Sequence, residues 1–152
     1  MTTRSSSLKN KSVLITGAAR RIGASMATCL HDQGMNIIVH YRQSAEQAQT
    51  LCEKLNQKRP NSARLCQGEL KTVADCEQIA SDAIETFGRL DALINNASAF
   101  FPTPIGKATS SDWEELLNVN LKAPFFLSQA CTPSLREQHG SIINLTDIYA
   151  EK

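Results

Sequence analysis

Residues 13–23 read VLITGAARRIG, a short apolar run that leads directly into a glycine-containing turn. A run of this length suits a strand that is buried on both faces of a parallel sheet. Apolar residues then recur at helical spacing from Ile22 to Leu30, and Gly34 stands where a helix would end in a left-handed residue. The stretch therefore predicts a strand, a tight turn and a helix whose apolar face includes Ile22.

The same alternation continues along the chain. Apolar runs and their flanking residues predict four more strands, at residues 37–39, 63–66, 90–94 and 141–145. Helical spacing predicts further helices over residues 44–56, 73–87 and 111–130. Strands that alternate with helices of this length imply an α/β fold, a doubly wound, Rossmann-type parallel sheet with helices on both faces. In such a sheet, ligands bind at the carboxyl ends of the strands.

Local side chains predict where these helices begin and end. Capping-box spacing predicts two helix starts, from Ser44 with Gln47 and from Ser111 with Glu114. Gly88 is expected to close the helix over residues 73–87, because glycine adopts the left-handed conformation without strain. Pro124 is expected to kink the last helix, because proline has no N–H to donate.

Length and composition are those of an ordinary globular chain. The 152 residues suffice for one domain, expected over residues 1–152; 41% are hydrophobic, 20% are charged and the net charge is +1. This balance gives no support to nucleic-acid binding, and no apolar run suits a signal sequence or a membrane span, so a cytoplasmic protein is expected. The five cysteines form no CxxC pair and no metal-ligand spacing with histidine, so free thiols and no metal site are expected.

The turn at residues 17–23 has the setting of a phosphate-binding turn, after a strand and before a helix. Gly17 and Gly23 permit a tight bend and a close approach of the backbone to a ligand. Amides at the helix start and the positive end of the helix dipole would hold a pyrophosphate, and Arg20 and Arg21 add cationic donors. The alternative is a plain helix-entry turn with two solvated arginines.

Residues 40–44 read HYRQS and contain no acid, although an NAD-binding protein would be expected to place one here for the ribose 2′-hydroxyl. Arg42 and Ser44 offer a positive charge and a hydroxyl group, which suit a 2′-phosphate. The sequence therefore predicts NADPH rather than NADH. A solvated arginine beside a helix cap is the alternative.

Three motifs carry a resemblance to a known family. They are TGxxxxxG at residues 16–23, NNA at residues 95–97 and NVN at residues 118–120. In these motifs and in their spacing along the chain, the sequence resembles the short-chain dehydrogenases/reductases. The resemblance implies an NADPH-dependent oxidoreductase of small molecules.

Within that family, three departures from the common pattern resemble the pteridine reductases. Arg21 replaces the usual middle glycine, Ser98 replaces the glycine of NNAG, and Asp147 occupies the position of the usual catalytic serine. The aromatic stretch FFPTP at residues 100–104 points the same way. The implied substrate is a dihydropterin, which would accept hydride at a C=N bond, and dihydrofolate is a second possibility.

The resemblance also implies roles for single residues. Phe100 would stack on the pterin ring, Ser98 and Arg21 would hydrogen-bond the pterin or a cofactor phosphate, and Asp147 would help to position or relay a proton. Asn120 is the family's structural and proton-relay asparagine. As alternatives, Phe100 could lie in a loop packed on the core, and Asp147 could be a turn residue after a strand.

The implied cofactor contacts come from four loops. Glu69 stands where relatives often have an aspartate near the adenine, and Gln43 stands where some pteridine reductases have an arginine, so Arg42 is expected to carry the 2′-phosphate. The full implied NADPH set comprises Gly17, Arg20, Arg21, Ile22, Gly23, His40, Tyr41, Arg42, Ser44, Glu69, Leu70, Asn96, Ala97 and Ser98. A homotetramer is implied for the full-length form.

The family's YxxxK pair would follow a little over a dozen residues beyond Asp147, and the sequence ends at Lys152. Its tyrosine is the expected general acid, and its lysine lowers the pKa of that tyrosine. Tyr149 is too close to Asp147 to replace it. We therefore expect the N-terminal part of a longer reductase, with a sheet that is incomplete on its C-terminal side and a fifth strand exposed as an edge.

Several interpretations of such a chain stay open. It is a truncated sequence of an active pteridine reductase, a catalytically dead fragment that still binds NADPH, or an interaction protein that reuses the fold. Another short-chain reductase, acting on a carbonyl group, is a further alternative. The sequence itself favours the first of these as the parental function.

Overall fold

A computed structural model describes residues 7–146. Within that range the strands are β1 (Ser12–Ile15), β2 (Asn36–Tyr41), β3 (Ala63–Gln67), β4 (Ala92–Asn95) and β5 (Ser141–Asn144). The α-helices are α1 (Arg21–Asp32), α2 (Ala45–Lys58), α3 (Val73–Phe87), α4 (Ser110–Leu117) and α5 (Ala123–Glu137). A π-helical turn, Asn118–Lys122, joins α4 to α5.

The strands form one parallel sheet in the order β3-β2-β1-β4-β5. The chain adds strands first on one side of β1 and then, from β4 onward, on the other. In register, Ile15 of β1 lies beside Val39 of β2 and Ile94 of β4, so the carboxyl ends of these three strands lie side by side. The predicted doubly wound α/β fold is confirmed, and its topological switch lies between β1 and β4.

Side chains of β1, β2, β3 and β4 enter two separate cores, one on each face of the sheet. Val13 and Ile15 pack on one face, in the cluster that contains α1 and α2 residues. Leu14 and Leu93 pack on the other face, against α3 and α5. All of these strand side chains are fully buried, which explains the uninterrupted apolar runs in the sequence.

The boundaries of α1, α2 and α3 agree closely with the predictions, whereas the helical segment predicted over residues 111–130 continues to Glu137, and two of the predicted caps are wrong. Ser44 is the N-cap of α2, yet its side chain makes no capping hydrogen bond, so the box with Gln47 does not form. Helix α4 is capped by Thr109 with Asp112, rather than by Ser111 with Glu114. The sequence offers two overlapping boxes here, and the helix begins at the earlier one. In contrast, α3 ends at Gly88 (φ +67°) as predicted.

The predicted helix over residues 111–130 is irregular just before Pro124. At the end of the π turn, the Ala123 N–H donates to the carbonyl of Asn118, five residues earlier. Pro124 has no N–H to donate, so the regular ladder cannot pass through this position unchanged. The wide turn therefore precedes Pro124 and contains Asn120, and π-helical turns of this kind are frequent at functional sites.

Strand β5 lies at one edge of the sheet, as expected. Ile142 and Ile143 are 40% and 49% exposed, unlike the fully buried apolar residues of β1. Of the cysteines, Cys29 is exposed and the others are buried as free thiols. In the part of the chain that the structure describes, no helix is long and apolar enough to cross a membrane.

Candidate functional site

The site is built where β1 and β4 end, and Thr16 joins the two strand ends. The Thr16 hydroxyl accepts hydrogen bonds from the N–H groups of Asn96 and Ala97, each at 2.9 Å. The Asn96 side-chain amide donates to the carbonyls of Thr16 (2.8 Å) and Gly17 (3.2 Å). The glycine turn is thus fixed to the loop after β4. The sequence motifs included Thr16, but no role was predicted for it; a lone hydroxyl at the end of a buried strand is the only signal.

Glycine is required at Gly23 by contact rather than by conformation. A Cβ atom there would lie 2.5 Å from the Gly17 carbonyl oxygen and 2.7 Å from Asn96 Nδ2. Gly17 itself has φ +62°, and a Cβ on it would lie 3.1 Å from Ala97 Cα. Both glycines therefore allow the turn, the first helix and the loop after β4 to pack closely together.

The amino end of α1 has the features of an anion site. No side chain of residues 7–146 caps it, and its first turn holds no acidic residue. Helix α3, in contrast, has a complete capping box from Thr72 and Asp75. Orphan amides at an uncapped helix start carry partial positive charge, and here the exposed Arg20 and Arg21 stand beside them. The arrangement suits a pyrophosphate.

Arg21 adopts a conformation that favours glycine. Its φ is +53°, in the left-handed region, whereas the neighbouring Arg20 is extended with φ −146°. A left-handed non-glycine residue costs roughly 1–2 kcal/mol. Glycine, which is more common at this position in the family that the motifs resemble, would adopt the same conformation without strain. The strained arginine therefore suggests a role for its guanidinium group in this turn.

Ile22 does not lie on the buried face of α1, and this part of the prediction is wrong. Its side chain is 64% exposed, whereas α1 buries Gly23, Ala27 and His31. Met26 and Leu30 pack partly against the core beside Ala27, so the predicted apolar spacing fails only at Ile22, in the first turn of the helix. An exposed apolar side chain at the turn can cover a bound ligand.

His40 lies at the end of β2 and is almost completely buried, 1% exposed. Its Nδ1 accepts a hydrogen bond from the Gly17 N–H, and its Nε2 lies 3.2 Å from the Gly68 carbonyl oxygen. Burial lowers the pKa of His40 to about 4, although the Gly68 hydrogen bond and Glu69 favour the charged ring. The ring is therefore neutral at pH 7, and backbone groups of Gly17 and Gly68 engage both of its nitrogens.

The amino end of α2 also lacks a side-chain cap. Ser44 stands there with its hydroxyl unused by the helix. The adjacent Arg42 is exposed, and its carbonyl accepts a 3.3 Å hydrogen bond from Gln67 of β3. Tyr41, half-buried, has its carbonyl bound by the Gly68 N–H at 3.1 Å. A positively charged side chain and a free hydroxyl thus flank one set of orphan amides, although the first turn of α2, unlike that of α1, also contains an acidic residue, Glu46.

The loop after β3 lies on the other side of His40. Leu70 is buried, and Glu69 is half-buried. The Glu69 Oε2 atom is enclosed and has no hydrogen-bond partner among residues 7–146; Lys71 Nζ is 3.4 Å away without hydrogen-bond geometry. A buried carboxylate oxygen of this kind normally has a donor. The predicted role of Glu69 as an acceptor near the adenine is compatible with this geometry.

Asn120 fixes the loop that carries the predicted pterin contacts. Its side-chain Oδ1 accepts from the Ala99 N–H at 3.0 Å, and its Nδ2 donates to the Ala99 carbonyl at 2.8 Å. Ser98 and Phe100, on either side of Ala99, are both exposed, Phe100 by 89%. The alternative in which Phe100 packs on the core is therefore wrong. Asp147, the remaining predicted catalytic residue, lies outside the described residues, as does Tyr149.

Comparison with known proteins agrees with the family resemblance of the sequence motifs. A family model described as short chain dehydrogenase matches residues 11–152. Pteridine reductase 1 of Leishmania tarentolae is 35% identical, over 88% of this chain and 60% of that protein. The 3-oxoacyl-[acyl-carrier-protein] reductase FabG of Staphylococcus epidermidis is 34% identical, over 91% of this chain and 57% of that protein.

The solved structures give a similar result. A blue fluorescent protein from a metagenomic library, in complex with NADPH, superimposes with a TM-score of 0.90 at 34% sequence identity. The alignment covers 96% of this chain and 59% of that one. The chain thus spans 57–60% of the length of these relatives.

Proposed function

Because the chain belongs to the short-chain dehydrogenase family, we propose that it binds NADPH and forms the cofactor-binding part of a reductase that transfers hydride to a dihydropterin. The observation that supports NADPH as the cofactor is the pair of helix starts without side-chain caps, at α1 and α2, with three exposed arginines beside them. Residues 40–44 contain no acidic side chain. Two separate anion sites fit a dinucleotide that has both a pyrophosphate and a 2′-phosphate.

The chain's own residues would hold the cofactor as follows. Amides at the start of α1, with Arg20 and Arg21, would bind the pyrophosphate, and Arg42 with Ser44 would bind the 2′-phosphate. Glu69 and Leu70 would line the adenine. The loop fixed by Thr16, Asn96 to Ser98, would lie toward the nicotinamide, which supplies the hydride when NADPH is bound. The metagenomic protein of similar structure was solved with NADPH.

The pterin proposal depends on the loop around Ala99. Because Asn120 holds both backbone groups of Ala99, Phe100 is presented to solvent on a fixed backbone rather than on a free loop. An exposed aromatic face suits a planar heterocycle, and Ser98 and Arg21 add polar contacts. Similarity to pteridine reductase 1 supports this assignment. Asn120 and Asp147 are proposed as the chain's contributions to proton transfer.

A carbonyl substrate is the second candidate. The FabG proteins of staphylococci are 33–34% identical to this chain, about as similar as pteridine reductase 1. Their printed name specifies reduction of a 3-oxoacyl group on acyl-carrier protein. The features that favour pterin over this substrate are Arg21, Ser98 and the exposed Phe100, none of which a carbonyl reduction needs.

The test of function is a paired assay of the protein in its full natural length. The absorbance of NADPH reports its oxidation, and we expect turnover with dihydrobiopterin and at least about tenfold less activity with a 3-oxoacyl thioester. The Phe100→Ala variant should have a kcat/KM for the pterin about tenfold lower, because the stacking contact is lost. Ile105→Ala, which truncates another exposed apolar side chain, is the control and should leave kcat/KM unchanged. Preference for the thioester would assign the second function instead.

The remaining parts of the proposal concern organisation. We propose one domain over residues 1–152, a cytoplasmic location and, for the full-length protein, a homotetramer. Large apolar side chains of α4, the π turn, α5 and β5 are exposed, and the proposed assembly would bury them against other chains. These side chains are Trp113, Leu121, Phe125, Ile142 and Ile143.

A further inference from the structure

Four hydrogen bonds meet at the carboxyl end of β2, and His40 makes three of them. The Gly17 N–H donates to His40 Nδ1 at 3.2 Å, and the Ala18 N–H donates to the His40 carbonyl at 2.9 Å. On the other side, His40 Nε2 lies 3.2 Å from the Gly68 carbonyl oxygen, and the Gly68 N–H donates to the Tyr41 carbonyl at 3.1 Å. One residue thus contacts the glycine turn and the loop after β3.

The chemistry of these partners fixes the proton on the ring. A carbonyl oxygen can only accept, so Nε2 of His40 must carry the proton and donate it to Gly68. An amide N–H can only donate, so Nδ1 must be unprotonated to accept from Gly17. Burial, which disfavours the charged ring, maintains this state; Glu69 is the one charged group of the described chain that acts on it appreciably.

This arrangement determines which amides remain for a ligand. The N–H groups of Gly17 and Ala18 both point to His40, so neither is available to a phosphate. The free donors are those at the start of α1, and their position follows from the turn that Gly17 begins. The ring also has no free nitrogen with which to bind a cofactor itself.

We propose that His40 is a positioning residue, which joins the pyrophosphate-binding turn to the adenosine-side loop at Gly68 and sets the affinity for the cofactor through Gly17 without contacting the cofactor. This inference rests on the proposed NADPH function. It assigns a reason for a histidine at the end of an otherwise apolar strand: among neutral side chains of this size, only imidazole has an acceptor and a donor on opposite sides of one rigid ring.

Substitutions of His40 can remove its side-chain contacts with Gly17 and Gly68 one at a time. His40→Asn keeps an amide oxygen near the position of Nδ1, so it retains an acceptor for Gly17 and loses the Gly68 contact. His40→Gln places its amide near Nε2, so it retains a donor for Gly68 and loses the Gly17 contact. His40→Phe keeps the ring volume and loses both contacts.

The experiment measures the Kd of NADP⁺ for the wild type and the three variants at pH 7.5, with a thermal melt of each. We expect the asparagine variant to stay within about threefold of the wild type, and the glutamine and phenylalanine variants to bind about tenfold more weakly, as for one buried hydrogen bond lost. Asparagine and glutamine variants of similar Tm but different Kd would separate positioning from a general loss of stability.

A ligand-free readout keeps this proposal distinguishable from the cofactor assignment. Imidazole ¹⁵N shifts should show the Nε2–H tautomer in the wild type, and the Gly17 amide should exchange slowly in the wild type and asparagine variant but rapidly in the glutamine variant. Equal Kd values for all variants, or affinities that follow Tm alone, would overturn the positioning role. Native exchange patterns with no NADP⁺ binding in the wild type would instead overturn the proposed function and, with it, the effect on affinity.

Discussion

Replacing Gly23 by alanine is expected to raise the Kd of NADPH by about 100-fold or more and to lower the free energy of unfolding by about 1–3 kcal/mol, as overpacking does. The added Cβ would lie 2.5 Å from the Gly17 carbonyl oxygen, 2.7 Å from Asn96 Nδ2 and 2.9 Å from Ala18 Cα. Two of these atoms belong to the backbone, which cannot rotate away. The start of α1 must therefore move from the turn, and its amides move with it.

A second glycine supplies the control for this substitution. Gly88, at the end of α3, has φ +67° and open space where a Cβ would stand. Gly88→Ala should cost stability through backbone strain, about 1 kcal/mol, and leave the Kd of NADPH unchanged. Fluorescence titration gives the Kd and urea unfolding gives the stability. If Gly23→Ala bound NADPH as tightly as Gly88→Ala, the pyrophosphate site would not be at this turn.

Replacing Asp91 by alanine is expected to lower the free energy of unfolding at pH 7 by about 1.5–3 kcal/mol, because the buried Ser12 N–H loses its charged acceptor while the Arg89 side chain, 37% exposed, turns to solvent. Its carboxylate is buried just before β4 and accepts hydrogen bonds from the Ser12 N–H (2.8 Å) and from Arg89 Nε (2.8 Å) and Nη2 (2.6 Å). Its carbonyl accepts from the Ser141 N–H at 3.0 Å. One residue therefore joins the amino ends of β1, β4 and β5.

The effect of this substitution should depend on pH. Burial alone would raise the pKa of Asp91, but hydrogen bonds from Arg89 and from the Ser12 N–H outweigh it and lower the pKa below its ordinary value. The unfolded carboxyl then takes up its proton at higher pH than the folded one. The stabilisation is fully present above about pH 4, the ordinary aspartate value, and is lost as pH falls through the lowered folded pKa.

Urea unfolding of wild type and Asp91→Ala between pH 7 and pH 3 measures both effects. The difference in stability should be large at pH 7 and shrink below about pH 4. Asp82→Ala, at an exposed position on α3, is the control and should change stability by less than about 0.5 kcal/mol. A loss of less than 1 kcal/mol for Asp91→Ala at pH 7 would contradict the anchoring role.

Most of the fold could be predicted from local sequence, because buried strands and capped helices leave short-range patterns. Helix α3 is the clearest case, since Gly88 and the apolar spacing predicted both of its ends. The start of α4 could not be chosen in this way, because Thr109 with Asp112 and Ser111 with Glu114 satisfy the same pattern. The π turn before Pro124 also has no periodic signature; the proline predicted a disturbance, but not its form.

Some residues of the site could likewise be predicted from local sequence, and others could not. The glycine turn and the pair Arg42 and Ser44 stand in contiguous motifs, so the sequence predicted them as candidates. Thr16 could not be assigned a role, because its hydrogen-bond partners are 80 and 81 residues away along the chain. The same holds for His40, whose contacts with Gly17 and Gly68 appear only when three loops are brought together by the sheet.

The central claim is a cofactor site with a dedicated 2′-phosphate position, and the most direct measurement is the Kd of NADPH and NADH for the wild type, Arg42→Ala and Arg64→Ala. We expect the wild type to bind NADPH at least about tenfold more tightly than NADH, and Arg42→Ala to lose that preference, because a charge-assisted hydrogen bond is lost. Arg64→Ala removes an exposed arginine near the amino end of β3 and should bind as the wild type does. Equal affinities for the two nucleotides in the wild type, or no binding of either, would contradict the claim.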